Sequence, residues 1–144
     1  MTIRHLHILL GLLLIVMVAL SGSAFGQFDR LPTTKPGPNA AMVTGVPGYK
    51  AQDLYEVRFI AINGREINAR QVLWLEPGTY EMTVSILADL GSGGSAALRR
   101  RQAPGFNTIE LELEAGKQYY ILARYHRRGE DAGQYSVILH RIDE

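Results

Sequence analysis

The sequence predicts an all-β fold: an antiparallel β-sandwich of six or seven strands, preceded by an export signal and a proline-rich linker. Two observations carry the prediction. In Thr79 to Ala88 the even positions Tyr80, Met82, Val84, Ile86 and Ala88 are apolar, and the intervening Thr79, Glu81, Thr83 and Ser85 are polar. In Thr108 to Glu114 the apolar positions are Ile109, Leu111 and Leu113, and the glutamates 110, 112 and 114 face the other way. A period of two with one wet face is the pattern of a half-buried strand in an antiparallel sheet. Turn signals at short intervals, and no convincing helical period after residue 26, extend that pattern to a sandwich.

The N-terminus stands apart from the domain. Met1 to His7 is a short head carrying Arg4, Ile8 to Leu20 is apolar except for Gly11, and Ser21 to Gly26 is mostly small. Head, apolar core and a small-x-small exit at Ala24-Phe25-Gly26 have the order of a secretory signal peptide, so residues 1–26 are expected to be removed before Gln27. The apolar run is shorter than the roughly 20 residues a spanning helix needs, so membrane attachment enters only if this segment stays uncleaved. Cysteine is absent, which leaves the domain to core packing without disulfides and rules out a lipobox thiol. Loss of Arg4 takes the 15 basic residues to 14, against 14 acidic ones. A neutral chain has no basic face to displace phosphate counterions, so nucleic acid is not an expected partner. The expected location is periplasmic or secreted.

Residues 27–52 hold Pro32, Pro36, Pro38 and Pro47 among small and polar residues, the composition of a linker. Met42, Val43 and Val46 suit a short edge strand, with Pro47 holding it at the margin of a sheet. The domain is expected over residues 53–144. Tyr55 to Ile62 is β-branched and aromatic and ends at Asn63-Gly64, a strong hairpin signal, with Arg65 to Ile67 beginning the return. Val72 to Leu75 is closed by the Glu76-Pro77-Gly78 turn. After Ala115-Gly116-Lys117 comes a strand with Tyr119, Ile121, Ala123 and Tyr125 on one face, then a polar loop and a last strand, Gln134 to Ile142. The segment Asp89 to Gly105, with its Gly/Ser run and three arginines, is too long for an ordinary connection.

Three stretches together resemble the PEGA-like domains of bacterial envelope proteins. They are Ala61-Ile62-Asn63-Gly64, Leu73-Trp74-Leu75-Glu76-Pro77-Gly78-Thr79-Tyr80 and Glu114-Ala115-Gly116-Lys117-Gln118-Tyr119-Tyr120. The resemblance covers about residues 55–126 and is carried by turns. The literal Pro-Glu-Gly-Ala string is missing, and Asp89 to Gly105 departs from the usual short connection. It implies an immunoglobulin-like or prealbumin-like sandwich, an envelope setting and no catalytic machinery, and it brings no functional residues.

Read for chemistry, the residues stay scattered. If the last two strands pair so that positions sum to about 261, His126 faces Tyr135 and His140 faces Ile121. The two imidazoles are then about 17 Å apart along the strands, too far to share a metal. Glu110, Glu112 and Glu114 on an open face lack the burial that separates acid from base, and Arg124 is their expected cross-strand partner. Gly91 to Gly94 is not followed by the Lys-Ser/Thr of a phosphate loop, and Ser92 and Ser95 have no histidine nearby in sequence. No catalytic residue, metal or cofactor is expected. The candidate interaction residues are Arg99, Arg100 and Arg101, suited to an anionic group, and Trp74, which points outward if Leu73 and Leu75 point inward. The expected function is a non-catalytic envelope module that binds another envelope protein or an anionic surface glycan. The alternative is a carbohydrate- or ligand-binding domain using exposed aromatics.

Overall fold

In the computed structural model, the described residues are 30–88 and 102–144. The expected signal peptide (residues 1–26), Arg99 to Arg101 and most of the Asp89 to Gly105 segment lie outside them. The residues from Pro32 to Glu144 belong to one compact unit. The strands are β1 (Ala41–Gly45), β2 (Leu54–Tyr55), β3 (Val57–Ile62), β4 (Arg65–Arg70), β5 (Val72–Leu75), β6 (Gly78–Ile86), β7 (Thr108–Leu113), β8 (Gln118–Tyr125) and β9 (Tyr135–Asp143). A short 3₁₀ turn, Lys50–Gln52, precedes β2.

Two sheets share these strands. The second has the order β4-β3-β6-β7, all antiparallel. In the first, β8 is central: β9 pairs along one side, and β1 and β2 follow one another along the other, with β5 beyond β1. The β1–β8 pairing is parallel and its neighbours are antiparallel, so this sheet is mixed. Val43, Leu73, Leu75, Tyr119, Ile121 and Ala123 of the first sheet meet Val57, Phe59, Ile62, Met82, Val84, Leu111 and Leu113 of the second in one buried cluster. The layered all-β arrangement expected from the alternation is therefore present.

Three expectations change, the first being that the sandwich is not wholly antiparallel, because β1 runs parallel to β8. The stretch assigned to a linker contributes β1, which lies between β8 and β5 rather than at an edge. Ala40 to Gly45 is mostly apolar, and Pro38 and Pro47 fall outside the strand, so neither proline interrupts a ladder. The strand count also rises, because extended runs change sheets at single residues. Glu56 separates β2 in the first sheet from β3 in the second, and Gln71 separates β4 in the second from β5 in the first.

The corner at Gln71 is pinned to β1. Gly45 N–H donates to Gln71 O at 2.9 Å, and Gln71 Nε2 donates to Gly45 O at 3.0 Å. On its other side Gly45 meets the start of β3 so closely that a Cβ there would lie 2.1 Å from Val57 O.

The three turns behind the family resemblance have different jobs. Asn63-Gly64 closes the β3–β4 hairpin with both residues left-handed (φ 49° and 75°), the mark of a type I′ turn. The Asn63 side chain also accepts from Glu81 N–H at 2.9 Å, which ties the hairpin to β6. The other two are corners between sheets. After Glu76-Pro77-Gly78, the Tyr80 hydroxyl reaches back and donates to Glu76 O at 3.0 Å. After Ala115-Gly116-Lys117, the Tyr119 hydroxyl accepts from Glu114 N–H at 2.9 Å, with Lys117 and Glu114 paired at 2.9 Å. In each corner a tyrosine on the outgoing strand satisfies a backbone group stranded at the bend.

Candidate functional site

The last strand sets up the most distinctive surface. His126 N–H donates to Gln134 O at 2.9 Å, and Tyr125 lies opposite Tyr135. Hydrogen-bonded and open pairs alternate in an antiparallel ladder. Arg124/Ser136 and Leu122/Ile138 therefore exchange bonds, and Tyr135, Val137 and Leu139 turn their N–H and C=O away from β8. The opposite residues on β8 agree with this parity: Tyr125 N–H donates to Asp53 O, and Ile121 O accepts from Val46 N–H.

Among the described residues, Gln102 and Ala103 cover the beginning of that outer edge. Gln102 Oε1 accepts from Tyr135 N–H, Gln102 Nε2 donates to Gly133 O at 3.1 Å, and Ala103 N–H donates to Gln134 Oε1 at 2.9 Å. From Val137 onward, nothing among the described residues pairs with the edge. Leu139 and Ile142 sit opposite Ile121 and Tyr119, on the core side of the strand, yet are 39% and 47% exposed. The other edges are better guarded. β5 is flanked by residues 32–34, through a Thr33–Leu75 bridge and Thr34 N–H donating to Trp74 O at 2.9 Å. β4 is irregular and carries Arg65, Glu66 and Arg70, and β7 carries alternating glutamates; charges and irregularities of this kind discourage pairing.

The histidines fall one position from their expected register. Positions sum to 260 from Tyr125/Tyr135 through Ile121/Leu139, and to 261 only beyond an irregularity between Tyr120 and Ile121. His126 therefore faces Gln134, not Tyr135. His140 is the extra residue at the bulge, and Leu139 takes the place opposite Ile121. His126 Nε2 is 2.8 Å from Ser136 Oγ. Among the described residues no group of three His, Cys, Asp or Glu is placed to hold a metal.

Arg124 is not the partner of the glutamates. It lies in the first sheet opposite Leu54 and Ser136, while β7 pairs with β6 in the second, so that Glu110 faces Glu81 and Glu112 faces Thr79. The Ala115-Gly116-Lys117 bend hands the chain from one sheet to the other, and strands consecutive in sequence do not pair there.

Trp74 lies on the opposite face from Leu73 and Leu75, half-buried, as the alternation implies. Register places Trp74, Met42, Gln118 and Asp143 in one row across that outer face, and Val72, Thr44, Tyr120 and Arg141 in the next. The Arg141 guanidinium stacks 4.2 Å from the Tyr120 ring centre and pairs with Asp143 at 3.0 Å. Sequence reasoning misses this row because Tyr120 and Arg141 approach Trp74 only through β1, whose composition reads as linker. The row needs the parallel β1–β8 pairing, which no local pattern announces.

Comparisons with protein-family models, with curated proteins and with solved structures found no match. Among the described residues no helix is long and apolar enough to cross a membrane.

Proposed function

We propose that this chain is an exported, non-catalytic module of the bacterial cell envelope, immunoglobulin-like or prealbumin-like in type and PEGA-like in its turns. It works by accepting an extended segment of a partner protein along β9. Export is supported by the head, apolar run and small-residue exit of residues 1–26, and the envelope setting by the turn motifs. The observation that carries the binding mode is the outward backbone of Val137 and Leu139 beside exposed Leu139 and Ile142. An added strand gains main-chain hydrogen bonds from the first feature and apolar burial from the second.

A photo-crosslinking side chain at Leu139, in cells exporting the full chain, tests this reading. An adduct with another envelope protein is expected, and Val137→Pro is expected to abolish it, because that substitution removes an outward N–H without touching the β8–β9 ladder. No adduct at Leu139, or one indifferent to Val137→Pro, overturns strand addition.

The outer row of the first sheet favours a second reading, an anionic glycan lying on Trp74 and Tyr120 with Arg141 as its polar contact. Trp74 is the sole tryptophan, so its emission reports on that face alone. Emission is expected to shift with a uronic-acid polysaccharide and not with a neutral one. A fixed spectrum across both removes the glycan reading.

A further inference from the structure

The outer face of the second sheet carries a hollow of 510 Å³ whose walls include Ile60, Ile67, Phe106, Thr83, Asn107 and Glu66. Its shape follows from mismatched strands. Both ladders of β3 shift register between Phe59 and Ala61, and β4 spends the stretch from Glu66 to Arg70 against the same step. The pleats do not nest there, and the small Ala61, opposite Glu66 and Thr83, forms the floor. Phe106 is delivered by the turn at Gly105 (φ 77°). Asn107 fixes it, with Nδ2 donating to Val84 O at 2.8 Å and its own carbonyl accepting from Val84 N–H at 2.9 Å.

Charge continues from the hollow along β6. Thr83, opposite Thr108, lines the hollow, the next outward row is Glu81/Glu110, and the one after is Thr79/Glu112. Rows on one face are about 7 Å apart. Glu81 and Glu110 stand directly opposite each other, an unfavourable like-charge pair. On the β3–β6 ladder Arg58 stands opposite Ser85, on the far side of the hollow from the glutamates, and the exposed Arg65 and Arg70 lie on the edge strand β4, opposite Ile62 and Phe59. A hollow of mixed lining, with Ile60, Ile67 and Phe106 beside Thr83, Asn107 and the Glu66 carboxylate, suits the apolar stem and charged end of a lysine or arginine. The two acidic rows beyond it match basic residues at alternate positions of an extended chain.

We propose that this face binds a basic extended peptide segment of a partner, with one lysine or arginine anchored in the hollow against Phe106 and Glu66 and the next two over Glu81/Glu110 and Glu112. The surface belongs to the other sheet from β9 and stands whether or not β9 accepts a strand.

The test uses the purified full-length protein and a fluorescein-labelled peptide of alternating lysine and threonine with three lysines, read by anisotropy. Binding is expected at low salt and weakens as salt rises. The same peptide with glutamate for lysine is expected not to bind. Glu66→Gln and Glu110→Gln are each expected to weaken binding about three- to tenfold. Glu110→Gln is also expected to raise the denaturation midpoint, because it relieves the repulsion with Glu81; that result shows the variant to be folded while it binds less well. Equal binding of the glutamate peptide, or no binding at low salt, overturns the proposal. Loss with Glu110→Gln but not with Glu66→Gln overturns the anchor in the hollow.

Discussion

Gly45→Ala is expected to destabilise the domain by at least about 3 kcal/mol, a large share of the roughly 5–15 kcal/mol that holds a domain of this size together. Its Cβ would lie 2.1 Å from Val57 O and 3.1 Å from Val57 C, so the clash is with backbone and no side-chain rotation relieves it. Either β1 or the start of β3 must move. If β1 moves, it breaks the paired bonds between Gly45 and Gln71 and disturbs Ala41 and Val43, both fully buried. If β3 moves, Val57 and Phe59, also fully buried, leave their places between the sheets. Gly37→Ala is the control, since a Cβ at Gly37 meets nothing within 4 Å; it is expected to stay within about 0.5 kcal/mol of the parent. Urea denaturation of the three proteins measures both. A Gly45→Ala midpoint close to the parent's would mean that the two sheets do not meet at this glycine.

That contact marks where sequence reasoning stops. The two alternating segments became β6 and β7 with the expected faces: Met82, Val84, Leu111 and Leu113 are buried, and Glu81, Glu110 and Glu112 are exposed. Local period is sufficient there because each strand has one wet and one dry side. Strand partners are a different matter. The bends after Leu75 and Leu113 carry ordinary turn residues, and nothing local tells a hairpin from a corner that changes sheets. Local pattern therefore pairs Arg124 with the glutamates of β7, although it belongs to the first sheet. The short run Ala40 to Gly45 reads as weak because prolines flank it, yet its backbone pairs with β8 on one side and β5 on the other while Ala41 and Val43 enter the core. Leu122 is a further case. It sits on the face of β8 away from the main core and is still fully buried, so alternation alone assigns it to solvent. The β9 edge and the hollow were equally invisible, since one depends on hydrogen-bond parity beside a bulge and the other on two strands whose pleats fail to nest.

Alkaline solution is expected to remove about 1–3 kcal/mol of stability between pH 10 and pH 12 through Tyr135, the lower end applying where solvent screens the group. This residue caps one end of the core. Its ring lies 5.4 Å from that of Tyr55, edge-on, and 4.9 Å from that of Tyr125, tilted, and it is 8% exposed. Burial is the first cause that pushes its hydroxyl up to about 12; the neighbouring Tyr55 and Tyr125 and the Asp53 carboxylate act in the same direction. An unfolded tyrosine titrates near 10. The neutral phenol is the form the fold accepts, so below pH 10 the folded and unfolded chains carry the same proton and the full stability is present. Between 10 and 12 the unfolded chain releases that proton and the folded one retains it. Unfolding is then favoured by about 1.4 kcal/mol for each pH unit until the folded group also ionises. Tyr80, raised by burial and by Glu76, adds to the slope in the same sense, so Tyr135→Phe is expected to flatten the fall without abolishing it. Urea midpoints at successive pH values, with phenolate absorbance followed in the folded protein, measure both sides of the linkage. An unchanged slope in Tyr135→Phe would place the alkaline weakness elsewhere. A reduced slope assigns it to the aromatic cap that joins β2, β8 and β9, next to the stretch of β9 where no described residue pairs with the outward backbone of Val137 and Leu139.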